Sequence, residues 1–501
     1  MSGVRTAGTN AGADGADPRR WWALVVIALA QLMVVLDATI VNIALPSAQR
    51  ALGMSDGNRQ WVITAYTLAF GGLLLLGGRI ADLVGRKRTF VIGLVGFAAA
   101  SAFGGAAQTP GMLFGARALQ GAFAAVLAPS ALSLLTTTFT DPRERGKAFG
   151  IYGALAGSGS AIGFIVGGLL TEYLNWRWCL YVNVPIAILA VTGALTLLRD
   201  RPGHTGARLD VPGALLGCGG LVAIVYGFSE AQPRGWSDPL VLGLFAAGAL
   251  LLTGFVWWQT RAPSPLLPLH IVKDRNRAGS FLTMALATVA MFGLFLFLTY
   301  YLQVILGYSP VRAGLGFLPL TVAIIVGSTQ ISARLLHRVA PRLLMVPGML
   351  LAACGLLLLT RITVHSSYPT EILPALLLMG LGMGLTFMPV FATATSGVAP
   401  QDSGVTSATV NTSQQVGGSI GTALLNTVAT TSTATYLAAH LHDPAQKAAV
   451  VPAAVVHGYT VAIWWAVGVM LLAGLVAGLL VTARPPKHDA PAETPMPEPV
   501  G

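Results

Sequence analysis

Apolar runs about twenty residues long follow one another along almost the whole chain. Fourteen can be read, near 21–45, 60–80, 89–107, 111–136, 148–171, 179–198, 211–230, 239–258, 278–302, 312–333, 342–360, 372–393, 405–430 and 458–481. Each is long enough to cross about 30 Å of hydrocarbon. Lipid offers no water to pair a free N–H or C=O, so such runs must span as helices. The segments between them are too short for a soluble domain, and the expected fold class is an all-α polytopic membrane protein. Charged residues make up 10% of the 501 positions, against about 25% in soluble domains. The net charge of +11 does not point to nucleic acid, because the basic residues sit in short loops between apolar runs.

Those loops set the orientation. Arg5, Arg19 and Arg20 precede the first run. Arg79 to Arg88, Arg143 to Lys147, Arg199 to Arg208, Arg261 to Arg277 and Arg334 to Arg342 fall in alternate connections, and Arg484 and Lys487 follow the last run. The positive-inside rule then puts both termini in the cytoplasm. Residues 1–20 read as a disordered cytoplasmic N-terminus and 482–501 as a disordered, Pro-rich cytoplasmic tail. The stretch 431–457, with His440, His442 and Asp443, reads as a longer outer loop. Cys179, Cys218 and Cys354 are scattered singly, without metal-ligand spacing. No Gly-Lys-Ser/Thr phosphate loop and no nucleophile–base constellation is visible.

Asp37 breaks the first run, sixteen residues in. A carboxylate at such depth costs about 2.5 to 3.5 kcal/mol on insertion scales, which makes it a functional candidate. Arg117 lies about six residues into the fourth run, which travels the other way. At about 1.5 Å per residue the two reach similar depth, and an ion pair between them is sterically allowed. Two plainer readings stand beside this one. Arg117 could snorkel or bond a carbonyl, and Asp37 could make a packing hydrogen bond to Thr or Asn. The thirteenth run is unusually polar, with Asn411, Gln415, Ser419 and Thr422 on one helical face and Gly417 and Gly421 at small-xxx-small spacing. It reads equally as a cavity wall or a polar packing seam. Gln31, Asn42, Tyr66, Gln120 and Tyr226 are further candidates for a substrate cavity.

Several segments carry a family likeness. The connection Gly77-Gly78-Arg79-Ile-Ala-Asp82-Leu-Val-Gly85-Arg86-Lys87-Arg88 resembles the signature loop of the major facilitator superfamily. Leu36-Asp37-Ala38-Thr39-Ile40-Val41-Asn42-Ile43-Ala44-Leu45-Pro46 is similar to the first-span signature of the fourteen-span drug:proton antiporters, the QacA/EmrB-like multidrug exporters. Arg117-Ala-Leu-Gln120-Gly121 is similar to their span-4 motif. The spacing of Gly150, Gly159, Gly163, Gly167 and Gly168 is similar to their antiporter motif, with Phe164 where the family has proline. Trp176 to Pro185 and Tyr301 to Pro310 also resemble recurrent segments of the group.

The resemblance implies a major facilitator fold of fourteen transmembrane helices. Its parts would be an N-terminal six-helix half at 21–198, a linker with two extra helices at 199–276, and a C-terminal six-helix half at 277–481. It implies a gating loop at Gly78, Asp82, Gly85, Arg86, Lys87 and Arg88, with Asp82 also placed to cap the third helix. Asp37 and Arg117 would couple to protons. The expected function is antiport of amphipathic organic compounds against protons, in the plasma membrane of a bacterium. Its partners would be a small-molecule substrate, protons and the bilayer, with no cofactor and no nucleic acid, and the chain would be a monomer. An uptake symporter of a small organic solute is the alternative. A receptor or enzyme would need a soluble domain or a catalytic constellation.

Overall fold

The computed structural model describes residues 19–139, 141–198, 209–399, 402–441 and 447–483. The two expected disordered termini fall largely outside these residues, as do His442 and Asp443. Among the described residues the chain is helical throughout. Fourteen long helical segments follow in order: α1 Arg19–Leu52, α2 Trp61–Val84, α3 Arg86–Gly105, α4 Pro110–Thr138, α5 Pro142–Tyr173, α6 Trp178–Leu197, α7 Val211–Arg234, α8 Pro239–Gln259, α9 Arg275–Ile305, α10 Pro310–Leu335, α11 Arg342–Leu359, α12 Tyr368–Thr395, α13 Ser403–His440 and α14 Lys447–Leu480. Twelve of them are long and apolar enough to cross a membrane. The other two are α5, which is only partly described, and α13, whose polar residues from Thr406 to Gln415 dilute its apolar content. The stretch expected as a long outer loop, 431–457, is instead mostly helical. Over 431–440 the sequence is Thr- and Ala-rich without an apolar run, yet α13 continues to His440; 448–456 is apolar but broken by Pro452, and α14 runs through it from Lys447.

The helix starts are written locally. Thr109, Asp210, Asp238, Asp274 and Ser309 each accept a hydrogen bond from a backbone N–H in the first turn of the helix that follows, which satisfies one of the orphan donors there. The start of α3 is different. Asp82 lies within the α2 span, and the residue at the N-cap of α3 is Gly85, with φ 100°. That backbone conformation is open to glycine alone without strain, and it lets α3 begin one residue after α2 ends.

Packing divides the helices into two groups. α1 packs on α5 and α6, α2 on α4, and α3 on α4 and α6. In the second group α9 packs on α13 and α14, α11 on α12 and α14, and α10 on α12. The seam between them is made chiefly by α2 against α13 and α5 against α10. α7 leans on α2 and α13, and α8 packs on α7.

Glycines set the tightest approaches within each group. Gly159, Gly163 and Gly167 of α5 lie against Val35, Thr39 and Ile40 of α1. Gly417 and Gly421 of α13 lie against Ala285 and Val289 of α9. The small-xxx-small pair read in the sequence is thus a packing seam, and the same device serves both groups. On its other face α5 meets α10, with Gly168 beside Pro310 and Val311. A side chain at 163 would strike Thr39 and the Leu36 carbonyl, 3.2 Å from an added Cβ. Gly163→Val is therefore expected to destabilise the protein by about 1–3 kcal/mol, seen as a lower melting temperature in detergent. Gly115→Val, which meets nothing within 4 Å, should leave it unchanged.

Candidate functional site

Asp37 and Arg117 meet in the middle of the first group. Both are enclosed, at 0% and 1% exposure, and Arg117 Nη1 donates to Asp37 Oδ2 at 2.5 Å. One turn along α4, Gln120 faces the same way. Its Nε2 donates to Asp37 Oδ1 at 2.9 Å and to Ser101 Oγ of α3 at 2.7 Å, while its Oε1 accepts from Arg117 Nη1 at 2.8 Å. Asn183 of α6 completes the ring, donating from Nδ2 to Asp37 Oδ1 at 2.7 Å and to Ser101 Oγ at 3.3 Å. Arg117 Nε donates to the Val62 carbonyl at 2.9 Å, and its guanidinium lies 4.4 Å from the centre of the Tyr66 ring. The carboxylate therefore has donors on both oxygens, and the guanidinium spreads its charge over a carboxylate, two neutral oxygens and an aromatic face. A buried pair is tolerable on such terms and not otherwise.

Neighbouring contacts hold this arrangement in place. Arg177 Nη1 donates to the Gly105 and Ala107 carbonyls at 2.8 and 2.5 Å, satisfying carbonyls at the end of α3 and pinning the start of α6. Asn183 then falls level with Asp37. Gly121 lets α4 approach the Tyr66 carbonyl of α2. A cavity of about 10 Å³ lies beside Arg117, lined by Val41, Val62, Leu113, Trp176 and Cys179.

The ion pair expected from depth alone is present. The plainer readings are partly present too, since Arg117 bonds a carbonyl and Asp37 bonds an Asn. The carboxylate does not line the seam between the groups, however: its hydrogen-bond partners come from α4 and α6. Of the expected cavity residues, Tyr66 and Gln120 belong to this site and the others do not. Gln31 accepts from the Tyr152 hydroxyl of α5 at 2.7 Å. Asn42 and Asn411 donate to carbonyls of their own helices, Ala38 and Ser407. Gln415 sits at the seam against Gly71. Tyr226 is 40% exposed on α7, beside Trp61, so it faces out of the bundle; helical spacing gave it a face but not the neighbour that face meets.

The 78–88 segment sits at the N-terminal end of the bundle. Lys87 Nζ donates to the Leu195 and Leu198 carbonyls at 3.0 and 2.6 Å, and Arg79 donates to the Pro265 carbonyl at 3.3 Å. Gly78 ends its turn of α2 near Pro129. Arg86 is half-buried and Arg88 exposed at the start of α3. The Asp82 side chain and the surroundings of Gly150 lie outside the described residues. Ser101 and Asn183 were not singled out in the sequence. Asn183 carried a weak signal, as an Asn in an apolar run within a recurrent motif; Ser101, in an Ala-rich helix, carried none.

The opposite end of the bundle holds a second polar cluster, and this one bridges the groups. Arg59, 4% exposed, pairs with Asp56 at 3.1 Å, donates to the Tyr459 hydroxyl at 3.4 Å and lies 3.9 Å over the Tyr300 ring. Tyr300 donates to Gln49, and Asn426 donates to Gln60 and to the Asp56 carbonyl. Gln303 donates to the Ile43 carbonyl at 2.9 Å, and Glu172 accepts from the Val311 N–H. Below them Phe164 of α5 stacks on Phe317 at 4.7 Å and meets Phe295 at 5.7 Å. The position where the family has proline is thus an aromatic contact across the seam.

Removing one partner of the central pair strands a buried charge. Arg117→Leu is expected to destabilise the fold by about 3–5 kcal/mol, read by thermal unfolding in detergent, and the double variant Asp37→Asn with Arg117→Leu should recover a large part of that loss.

Comparison with known proteins places this geometry. The family model described as Major Facilitator Superfamily matches residues 27–422. Over 482 residues, 96% of this chain and 95% of the relative, the sequence is 59% identical to a puromycin resistance protein of Streptomyces alboniger. It is 40% identical to the cephamycin export protein CmcT of Amycolatopsis lactamdurans, over 84% of this chain and 88% of that one. It is 35% identical to a tetracenomycin C resistance and export protein of Streptomyces glaucescens, over 82% and 76%. Among solved structures, a bacterial homologue of the human lysosomal transporter Spinster, in an inward-facing and unoccupied conformation, superposes with a TM-score of 0.66 at 17% identity. That match covers 93% of this chain and 98% of the other. The chain is a multi-pass membrane protein that belongs to the Major Facilitator Superfamily.

Proposed function

We propose that this protein is a proton-coupled exporter that carries amphipathic organic compounds, such as drugs, antibiotics or natural products, out of a bacterial cell by alternating access. The observation that carries the coupling is the enclosed Asp37–Arg117 pair, because an ionisable group at that depth is costly unless its charge is used. The direction of transport is supported by relatives named for resistance and export, which disfavour uptake. All fourteen helices would cross the plasma membrane, α5 and α13 being sheltered by their neighbours, with both termini cytoplasmic and the chain acting as a monomer. No cofactor is needed if the proton gradient supplies the energy.

On that orientation the Arg59 cluster and the Phe164 stack close the outer side. Protonation of Asp37 would remove the charge that holds Arg117 Nη1, while Val62 and Gln120 keep the guanidinium paired. α1 could then shift relative to α4. The glycine contacts of α5 on α1 would pass that shift to α5, whose opposite face meets α10 at the seam. Lys87 and Arg79 tie the 78–88 loop to the end of α6 and to the linker, positions suited to latching the inner side.

Puromycin is the first compound to test. Expression in a sensitive host is expected to lower puromycin accumulation, and Asp37→Asn to abolish that effect with the protein still in the membrane. Equal export by Asp37→Asn would contradict the reading. A second test addresses the outer closure. In a cysteine-free background, Arg59→Gln should raise the labelling of Ala313→Cys by an impermeant thiol reagent several-fold; unchanged labelling would mean that Arg59 is no latch.

A further inference from the structure

The ring around Asp37 contains two amides, and they are not equivalent. Gln120 is held at both ends: its Nε2 serves Asp37 and Ser101, and its Oε1 is occupied by Arg117. Asn183 is held at one end only. Its Nδ2 serves the same two oxygens, while its Oδ1 is buried without a hydrogen-bond partner, in a residue at 0% exposure. Ser101 donates its own proton to the Phe97 carbonyl at 2.7 Å, so it acts on both amides as an acceptor.

A buried polar atom without a partner is rare and costly. This one belongs to the amide that touches the carboxylate, and it matters once the carboxylate changes state. An ionised Asp37 only accepts hydrogen bonds; a protonated one must also donate. Gln120 Oε1 cannot receive that proton without releasing Arg117. Asn183 Oδ1 can, if the amide turns by half a revolution about its last bond, because that turn breaks no other contact of the oxygen. Turning exchanges an unpaired oxygen for an unpaired N–H and brings Asn183 Oδ1 to Ser101 Oγ, so the Ser101 hydroxyl must turn with it, from the Phe97 carbonyl to Asn183 Oδ1.

We propose that Asn183 is a positioning residue that turns with the protonation of Asp37, donating to the carboxylate and accepting from the carboxylic acid. This rests on the reading of Asp37 as the proton site. It gives an enclosed carboxyl group a hydrogen-bond partner suited to each of its charge states. Among the described residues, the titratable or charged groups that interact with Asp37 are Arg117 from α4, Tyr66 from α2 and Cys179 at the start of α6. α3 offers Ser101, and α5 presents glycines to α1 at that level.

The test is infrared difference spectroscopy of the purified protein between alkaline and acid pH, with asparagine side chains isotope-labelled. The carboxylic acid band of Asp37 is assigned by its loss in Asp37→Asn. The amide carbonyl band of Asn183 is assigned by its loss in Asn183→Leu, or in Asn183→Thr if the leucine variant does not fold. The proposal expects the Asn183 carbonyl band to fall in frequency as the oxygen gains a hydrogen bond, with the same pH midpoint as the Asp37 band. It also expects Asn183→Leu to move that midpoint by less than about half a pH unit, since both charge states lose a partner; a donor to the anion alone would raise it by about a unit or more. An Asp37 band that titrates while the Asn183 band stays still would overturn the proposal and leave the proton site standing. An Asp37 that never titrates would remove both.

Discussion

A buried ion pair between Asp37 and Arg117 organises the first group of helices. Neither charge could be kept in an apolar bundle alone. Between them they recruit Gln120 from α4, Asn183 from α6 and the Val62 carbonyl from α2, and Ser101 of α3 accepts from both amides. The pair therefore fixes how α1, α2, α3, α4 and α6 sit together. Buried ion pairs are weak evidence for stability as such. Their better-attested uses are specificity and switching, and this one lies in a chain whose relatives are named for resistance and export.

The second constraint is close packing through glycine. The ladder of Gly159, Gly163 and Gly167 on α1 has a counterpart in Gly417 and Gly421 on α9. Helices that touch backbone to backbone move together, because a packed interface has few intermediate arrangements. α1 carries the charge on one face and meets α5 on another, and α5 in turn meets α10 through Gly168 and Phe164. A change in the charge on Asp37 thus has a continuous physical route to the seam.

The sequence disclosed the parts that lipid makes expensive. Apolar runs of spanning length can only be helices, and a carboxylate and a guanidinium within them stand out for the same reason. Their pairing followed from depth. Hydroxyl and amide groups are cheaper in a bundle, so Ser101 gave no signal and Asn183 a weak one until the helices were placed. The same limit misplaced Tyr226, since periodicity fixes a helical face but not what packs against it. In the sequence Phe164 is a departure from the family's proline; in the structure its ring fills the seam against Phe295 and Phe317. Between 431 and 440 a Thr- and Ala-rich composition hid the end of α13, and Pro452 hid the start of α14.

Exchange of substrate for protons can be followed directly in everted membrane vesicles whose lumen has been acidified. Adding puromycin should alkalinise the lumen when the vesicles carry the wild-type protein, and should do nothing when they carry Asp37→Asn. The same alkalinisation with either protein would show that the proton travels by another group, and that the pair at the centre of this bundle only holds it together.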